Sequence, residues 1–282
     1  MRRESSLSRV LQLMALLPRS PGEFYDRVSA LVATRGPHLR GKQERYRVTP
    51  LDQAVEELSH VLGQKVLEAT HEPGLLDIEA QVGRRIEALR TVAPFALMHN
   101  ADYALARTAY VVCRALRPTT VLETGVAYGV TSAFILQALE LNGGGVLHSV
   151  DLPPLHPRSD EFVGSAIPEE LTSRWRLHRG SAQRVLPALL PHLEGLGVFI
   201  HDSLHTFQNM QAELQLVTPR LKRPAVVLAD DIQDNRAYAQ WVDQVSPTYT
   251  AAVGEMVKPA LFGVAVLCEG SAPRAASPAS QG

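Results

Sequence analysis

The chain has 282 residues, 45% hydrophobic and 20% charged, a composition that excludes collagen-like, disulfide-scaffold and wholly disordered proteins and predicts one large or two small globular domains. With 28 basic against 29 acidic side chains the net charge is -1, so no global field exists to hold a polyanion, and nucleic acid is not an expected partner. Two cysteines, Cys113 and Cys268, lie in apolar runs without the Cys/His spacing of a zinc site or redox pair. They predict buried thiols in a reducing compartment.

The chain opens with Arg2 and Arg3 and a short apolar stretch, Val10 to Leu17, that superficially resembles a secretion signal. It holds Gln12 and leads into Leu17-Pro18-Arg19 with no small-x-small cleavage site, so an amphipathic helix is expected instead. No window approaches the ~18 apolar residues that span a bilayer, which predicts a cytoplasmic protein with no membrane partner. Up to Ala93 the pattern is helical but broken by Pro18, Pro21-Gly22, Gly36-Pro37, Gly41 and Pro73-Gly74. Apolar residues at three- and four-residue spacing predict helices over Leu51 to Leu62 and Leu75 to Leu89, with Thr49 capping and Pro50 in the first turn. Residues 1–93 do not readily form a core alone. They are expected to be a helical cap on the C-terminal two thirds of the chain or an arm for homo-oligomerisation.

From Pro94 to Cys268, short β-branched runs alternate with helical stretches, the signature of βαβ units around a parallel sheet. Strands are predicted at Thr120 to Glu123, Val146 to Asp151, Arg174 to His178, Val198 to His201, Ala225 to Ala229, Thr248 to Val253 and Leu261 to Leu267. Helices are predicted at about 129–141, 183–192, 206–219 and 235–244, with an irregular connection across 155–173. Val198-Phe199-Ile200 and Ala225 to Ala229 are continuously apolar, as when helices cover both sheet faces. The short turn Gly254 to Ala260 joins the last two strands as an antiparallel hairpin. Residues 269–282, rich in Ser, Ala, Pro and Gly, are expected to be a disordered tail, and no internal repeat is found.

The most informative stretch is Val121-Leu122-Glu123-Thr124-Gly125-Val126-Ala127-Tyr128-Gly129-Val130-Thr131-Ser132, a strand that runs through a glycine turn into a helix. Gly125 lets the backbone approach a ligand, Gly129 starts the helix close to it, and the free amides of the first turn favour an anionic group. The spacing E-x-G-x-x-x-G is not the dinucleotide fingerprint. Glu123, placed where a pyrophosphate would be repelled, suits a cofactor carrying positive charge. Asp151 closes the next strand, where a carboxylate can take both hydroxyls of a ribose. The small residues after the third strand, Gly180-Ser181-Ala182-Gln183, could admit an adenine ring, with Gln183 reading its edge. The plainer alternative for such acids is solvation at a strand end.

Glu123 to Ser132 with Asp151, Gly180 to Gln183 and Asp202 resembles a class I S-adenosylmethionine-dependent methyltransferase over roughly Pro94 to Leu267. The order is most similar to the catechol O-methyltransferase-like group, with its sugar- and macrolide-modifying relatives and cephalosporin hydroxylase-type proteins. The resemblance implies an α/β, Rossmann-like, doubly wound sheet of seven strands ordered 3-2-1-4-5-7-6 with strand seven antiparallel, over residues 94–268. It implies S-adenosylmethionine held by Glu123, Gly125, Tyr128, Thr131, Asp151, Gly180, Ala182, Gln183 and Asp202. Asn100, in Met98-His99-Asn100-Ala101-Asp102, falls where that group folds backbone over the methionine end of the cofactor.

Two more strand ends carry acids, Asp202 after the fourth and Asp230-Asp231 after the fifth, side by side in the crevice where such folds bind ligands. Three clustered carboxylates repel one another, and a divalent cation such as Mg²⁺ resolves this. The resembling group binds its metal at these positions, which makes Asp202, Asp230 and Asp231 the expected ligands. Adjacent strand residues face opposite ways, so both aspartates can reach one ion only if the strand has ended. Asp231 has the alternative of capping the next turn. His205 stands where the catechol enzymes carry a proton-removing lysine. The chain's four lysines, Lys42, Lys65, Lys222 and Lys258, are all distant from that loop in sequence. His205 is therefore expected as the general base, with a helix-start role as the alternative. His201, Trp175 and Trp241 are expected as packing residues. The expected activity is Mg²⁺-assisted methyl transfer to a small-molecule hydroxyl acceptor, a sugar or natural-product scaffold. A non-catalytic cofactor-binding partner and an NAD-dependent oxidoreductase are the alternatives.

Overall fold

The computed structural model describes residues 6–35, 46–97 and 102–269. Its strands are β1 (Val48–Thr49), β2 (Thr120–Thr124), β3 (Val146–Asp151), β4 (Trp175–Arg179), β5 (Leu196–His201), β6 (Leu221–Ala229), β7 (Tyr249–Gly254) and β8 (Leu261–Leu267). The helices before the sheet are α1 (Ser6–Leu16), α2 (Pro21–Arg35), α3 (Leu51–Leu62), α4 (Lys65–Ala69), α5 (Pro73–Leu89) and α6 (Tyr103–Leu116). Those between the strands are α7 (Val130–Asn142), α8 (Ser159–Phe162), α9 (Ala182–Leu189), α10 (Phe207–Val217) and α11 (Ala237–Val245).

The strands form a single sheet ordered β1-β7-β8-β6-β5-β2-β3-β4, with β8 antiparallel to both neighbours and the other pairings parallel. With β1 set aside, this is the 3-2-1-4-5-7-6 order implied by the resemblance. The continuous apolar runs behave as expected for a sheet covered on both faces. Val198, Ile200, Val226 and Leu228 enter one core cluster, while Phe199, Val227 and Ala229 enter the other. Reversal of β8 sets the β7–β8 turn beside the carboxyl end of β6, since Ala229 pairs with Gly263.

Three local expectations are corrected. Thr49 does not cap α3: it lies in β1, paired with Val253, and Pro50 takes the N-cap position without a side-chain hydrogen bond. Two residues are too few to show strand alternation, so β1 left no pattern. Strand β4 starts one residue late, because Arg174 ends a 3-10 turn, Glu169–Arg174, and its guanidinium is drawn 2.7 Å from Glu140. Cys268 is only half-buried, whereas Cys113 is fully buried.

Helices α3 to α5 are not separately cored. Leu58, Val66, Ile78 and Val82 are fully buried in the same cluster as α6, α7 and the sheet. A polar clamp reinforces that junction. Glu72, just before α5, accepts from Arg114 Nε at 2.6 Å, Tyr110 Oη at 2.7 Å and Lys65 Nζ at 2.7 Å. Arg114 also donates to Asn142. The Arg114 hydrogen bond, aided by Lys65 and Tyr110 against the cost of burial, brings Glu72 from 4.5 down to about 2. A depressed carboxylate stabilises the fold fully above its unfolded value, and that contribution fades as pH falls from 4.5 towards 2. Glu72→Gln should therefore cost about 2–3 kcal/mol in urea unfolding at pH 7, since Arg114 loses its partner. The gap to wild type should close in the acid limb; an equal gap at low pH would refute this ionic account.

Candidate active site

The carboxyl ends of β2, β3, β5 and β6 open into a cavity of ≈ 1420 Å³. Its floor is the glycine turn after β2. Gly125 has φ +85 and donates from its amide to Val150 O at 2.9 Å, while the Asp202 amide donates to Thr124 O at 2.8 Å. A Cβ on Gly125 would lie 1.8 Å from the Asp202 carbonyl oxygen. The turn and the Asp202 loop thus touch backbone to backbone, with no room for a side chain between them.

Asp151 lines the cavity and receives backbone amides of Val126, Leu152 and Ala127. Its Oδ2 is buried with no hydrogen-bond partner, and burial pushes the carboxyl up to about 6 despite those amides. A buried acceptor without a donor is costly unless a ligand supplies one. Gly180 donates to Asp151 O at 2.8 Å, and Gly180, Ala182 and Gln183 line the adjoining wall.

Other expected cofactor residues sit differently. Glu123 is 1% exposed, and its Oε2 accepts from Ser132 Oγ at 2.6 Å and Ser149 Oγ at 2.8 Å. Its carboxylate is spent inside the sheet, and burial raises its pKa to about 8. Tyr128 is fully buried, stacks on Phe95 at 4.1 Å and donates to Phe95 O at 2.7 Å, so it acts on the cavity through Phe95, which lines it. Thr131 is buried in the first turn of α7, its hydroxyl without a partner. Asn100 lies outside the described residues.

At the other end of the cavity, ligand atoms of Asp202, His205 and Asp230 all lie within 4.8 Å of one another. Asp230 is 1% exposed, and its Oδ1 has no hydrogen-bond partner. Burial, then the charge of Asp202, pushes Asp230 up to about 7. These unneutralised oxygens fit a divalent cation. Asp231 departs from the expected ligand set. Strand β6 ends at Ala229, and Asp231 adopts φ 51, a left-handed turn that swings its Oδ2 to 2.7 Å from His205 Nδ1. Burial would raise Asp231, but the His205 hydrogen bond and charge take it down to about 2.

His205 is thereby oriented. Nδ1 faces Asp231, while Nε2 lies 3.5 Å from Asp202 Oδ1 without a hydrogen bond. Burial opposes its charged form, yet the Asp202 and Asp231 carboxylates and the nearby Asp230 charge hold its pKa well above 6.5. The imidazole meets the geometric test for a base fixed by a carboxylate on one nitrogen.

Three contributors escaped the sequence reading. Lys258, far from His205 in sequence, lines this cavity together with Asp231, so a lysine does stand near the crevice. Glu255, on the same β7–β8 turn, has its carboxyl within hydrogen-bonding reach of Asp230, and burial with that contact raises it to about 9. Both could have been found from the antiparallel hairpin, which must return its turn to the end of β6. The third is α2, which crosses the cofactor end. Asp26 accepts from Ser181 Oγ at 2.8 Å and pairs with Arg184, and Arg27 donates to Pro153 O at 2.9 Å. Glu23 is bridged to Arg179 at 2.6 Å. Residues Pro154, Leu155, His156 and Arg158 of the irregular connection line the cavity as well. His201 and Trp241 are internal and Trp175 half-buried, hydrogen-bonded to Glu213, Thr218 and Ser149 respectively.

Residues 122–232 match the family model for a methyltransferase domain. No curated protein matches the chain. Among solved structures, an O-methyltransferase from Bacillus cereus in complex with SAH is similar at 12% identity and TM-score 0.55, covering 67% of this chain and 90% of that one. TomG, an O-methyltransferase from Streptomyces achromogenes involved in tomaymycin synthesis and solved with SAM, shows 14% identity and TM-score 0.53 over 80% and 99% of the chains. A putative O-methyltransferase from Klebsiella pneumoniae shows 13% identity and TM-score 0.51 over 76% and 96% of the chains. No helix among the described residues is long and apolar enough to cross a membrane. The matched segment holds the glycine turn, Asp151 and all three crevice aspartates, and the chain shares the fold of these O-methyltransferase structures.

Proposed function

We propose that the protein transfers a methyl group from S-adenosylmethionine to a hydroxyl of a small molecule, a sugar or natural-product scaffold, with His205 as general base and Mg²⁺ as a second cofactor. The observation that carries this reading is one cavity with two differently equipped ends. At one end Asp151 presents a buried oxygen lacking a donor, beside Gly180, Ala182 and Gln183, a fit for a ribose diol and adenine. At the other end stand the acids and His205. Gly125 and Asp202, in backbone contact, join the two.

Asp202 and Asp230 would hold the cation, which lowers the pKa of an acceptor hydroxyl when bound. His205 takes the hydroxyl proton on Nε2 while Asp231 fixes Nδ1, so the imidazole needs no reorientation during transfer. Displacement at a methyl group is in-line, and Phe95, α2 and residues of the 154–158 segment line the cavity in which the acceptor would be positioned. The near-zero net charge supports a small acceptor over a nucleic acid.

The test is a mass-shift screen of sugar and natural-product hydroxyls with S-adenosylmethionine, run with Mg²⁺ and with excess chelator. Asp151→Ala should weaken binding of the demethylated cofactor by about 1.5–3 kcal/mol in calorimetry, through loss of a charge-assisted contact. Wild-type affinity in that variant, or tight NADH binding in its place, would overturn the cofactor assignment.

A further inference from the structure

We propose that Glu213 is a positioning residue for the reaction: from inside α10 it holds the loop that carries Asp202 and His205 to the glycine turn after β2. This rests on the reading that those two residues serve the chemistry. Glu213 stands on the buried stripe of α10 with Met210, Leu214 and Val217, at three- and four-residue spacing, where packing alone favours an apolar side chain. It is fully buried and does not line the cavity. A buried carboxylate is costly unless its oxygens are hydrogen-bonded, and here both are. Oε2 accepts from Thr124 Oγ1 at 2.5 Å and from His201 Nδ1 at 2.7 Å. Oε1 accepts from Ser203 Oγ at 2.7 Å and from Asn209 Nδ2 at 2.7 Å. Burial opposes the charged form, yet the His201 contact and the hydroxyl donors hold Glu213 below the usual carboxylate range.

The donors converge on the junction of the site. His201 and Ser203 flank Asp202 in the chain, and Thr124 precedes Gly125. The Thr124 carbonyl also takes the Asp202 amide at 2.8 Å, so one threonine is tied to the loop through its backbone and to Glu213 through its hydroxyl. Asn209 extends the hold, donating from Nδ2 to Leu204 O at 3.0 Å, one residue before His205. One carboxylate thus gathers the end of β2, the end of β5 and the start of the loop that follows. A leucine in its place would fill the space and hold none of them. In-line transfer depends on such placement, since a misplacement of about 1 Å costs about 10²-fold in rate.

The experiment follows amide hydrogen exchange of the ligand-free protein by mass spectrometry in wild type, Glu213→Gln, Ser203→Ala and Leu214→Ala. Glutamine keeps the shape but has one acceptor oxygen, so it satisfies one pair of donors and turns an NH2 towards the other. Peptides covering 202–206 should exchange about tenfold or more faster in Glu213→Gln, and to a lesser extent in Ser203→Ala, while those of β3 keep their protection. Leu214→Ala, an apolar truncation on the same helix, should destabilise the fold without loosening 202–206 selectively. With an acceptor from the mass-shift screen, kcat of Glu213→Gln should fall about tenfold or more, and its affinity for the demethylated cofactor should stay within about threefold. Thermal unfolding checks that each variant is folded, and if Glu213→Gln is not, Ser203→Ala carries the test by the same criteria. Wild-type exchange at 202–206 in Glu213→Gln, or wild-type kcat with that loop loosened, would overturn the proposal. Equal loosening in Leu214→Ala would overturn it too, by showing that packing of α10 holds the loop. Full turnover in His205→Ala would instead remove the base assignment, while the exchange result still decides whether Glu213 holds the loop.

Discussion

His205→Ala should lower turnover about 10²- to 10⁴-fold, the contribution of a positioned base, while affinity for the methyl donor stays the same. The imidazole is set on the acid-rich side of the cavity, away from Asp151, which explains the split between the two parameters. A base must be neutral to accept a proton, so the rate should rise with pH through its titration. The contacts with Asp202 and Asp231 and the Asp230 charge favour the protonated form, which places the limb above the ordinary histidine value in the absence of other cations. Asp231→Asn removes one of those carboxylates and should move the limb to lower pH. It should also lower the plateau, because an amide no longer selects the tautomer that leaves Nε2 free. The measurement is kcat against pH for wild type and both variants. A limb that Asp231→Asn shifts upward, or full turnover in His205→Ala, would return His205 to a helix-start role.

The sheet was legible because each strand is long enough to show its pattern and each turn carries a signal of its own. Val146–Asp151 and Leu261–Leu267 were placed to the residue, and Glu123-x-Gly125 marked the turn that forms the cavity floor. What the sequence did not disclose are contacts made across it. Asp231 looks like a second ligand by adjacency to Asp230, and only its left-handed backbone turns it to His205. Tyr128 and Glu123 stand within the motif, but folding spends their polar atoms on Phe95, Ser132 and Ser149. Asp26 and Lys258 come from segments far from the motif in sequence. They reach the cavity through ion pairs and a hairpin, which no local spacing encodes.

The largest structural effect is expected at Gly125→Ala. Its φ of +85 would strain any side chain, and the added Cβ would fall 1.8 Å from the Asp202 carbonyl oxygen, which is backbone and has no flexible end to move away. Backbone strain of about 1 kcal/mol or more adds to an overpacking cost of about 1–3 kcal/mol, so a loss of about 2–4 kcal/mol in unfolding free energy is expected. Gly143→Ala is the matched control. It has φ +70 at the C-cap of α7 but nothing within 4 Å of the added Cβ, so only the strain of about 1 kcal/mol should appear. The functional consequence also differs between the two. Relief of the clash at Gly125 must push the Asp202 loop away from the turn, opening the junction between the ribose end and the His205 end. Gly125→Ala should therefore lose both cofactor affinity and turnover even under conditions where it remains folded, whereas Gly143→Ala keeps both. Equal destabilisation of the two variants in urea would show that strain alone matters, and that the backbone contact between Gly125 and Asp202 does not couple the two ends of the site.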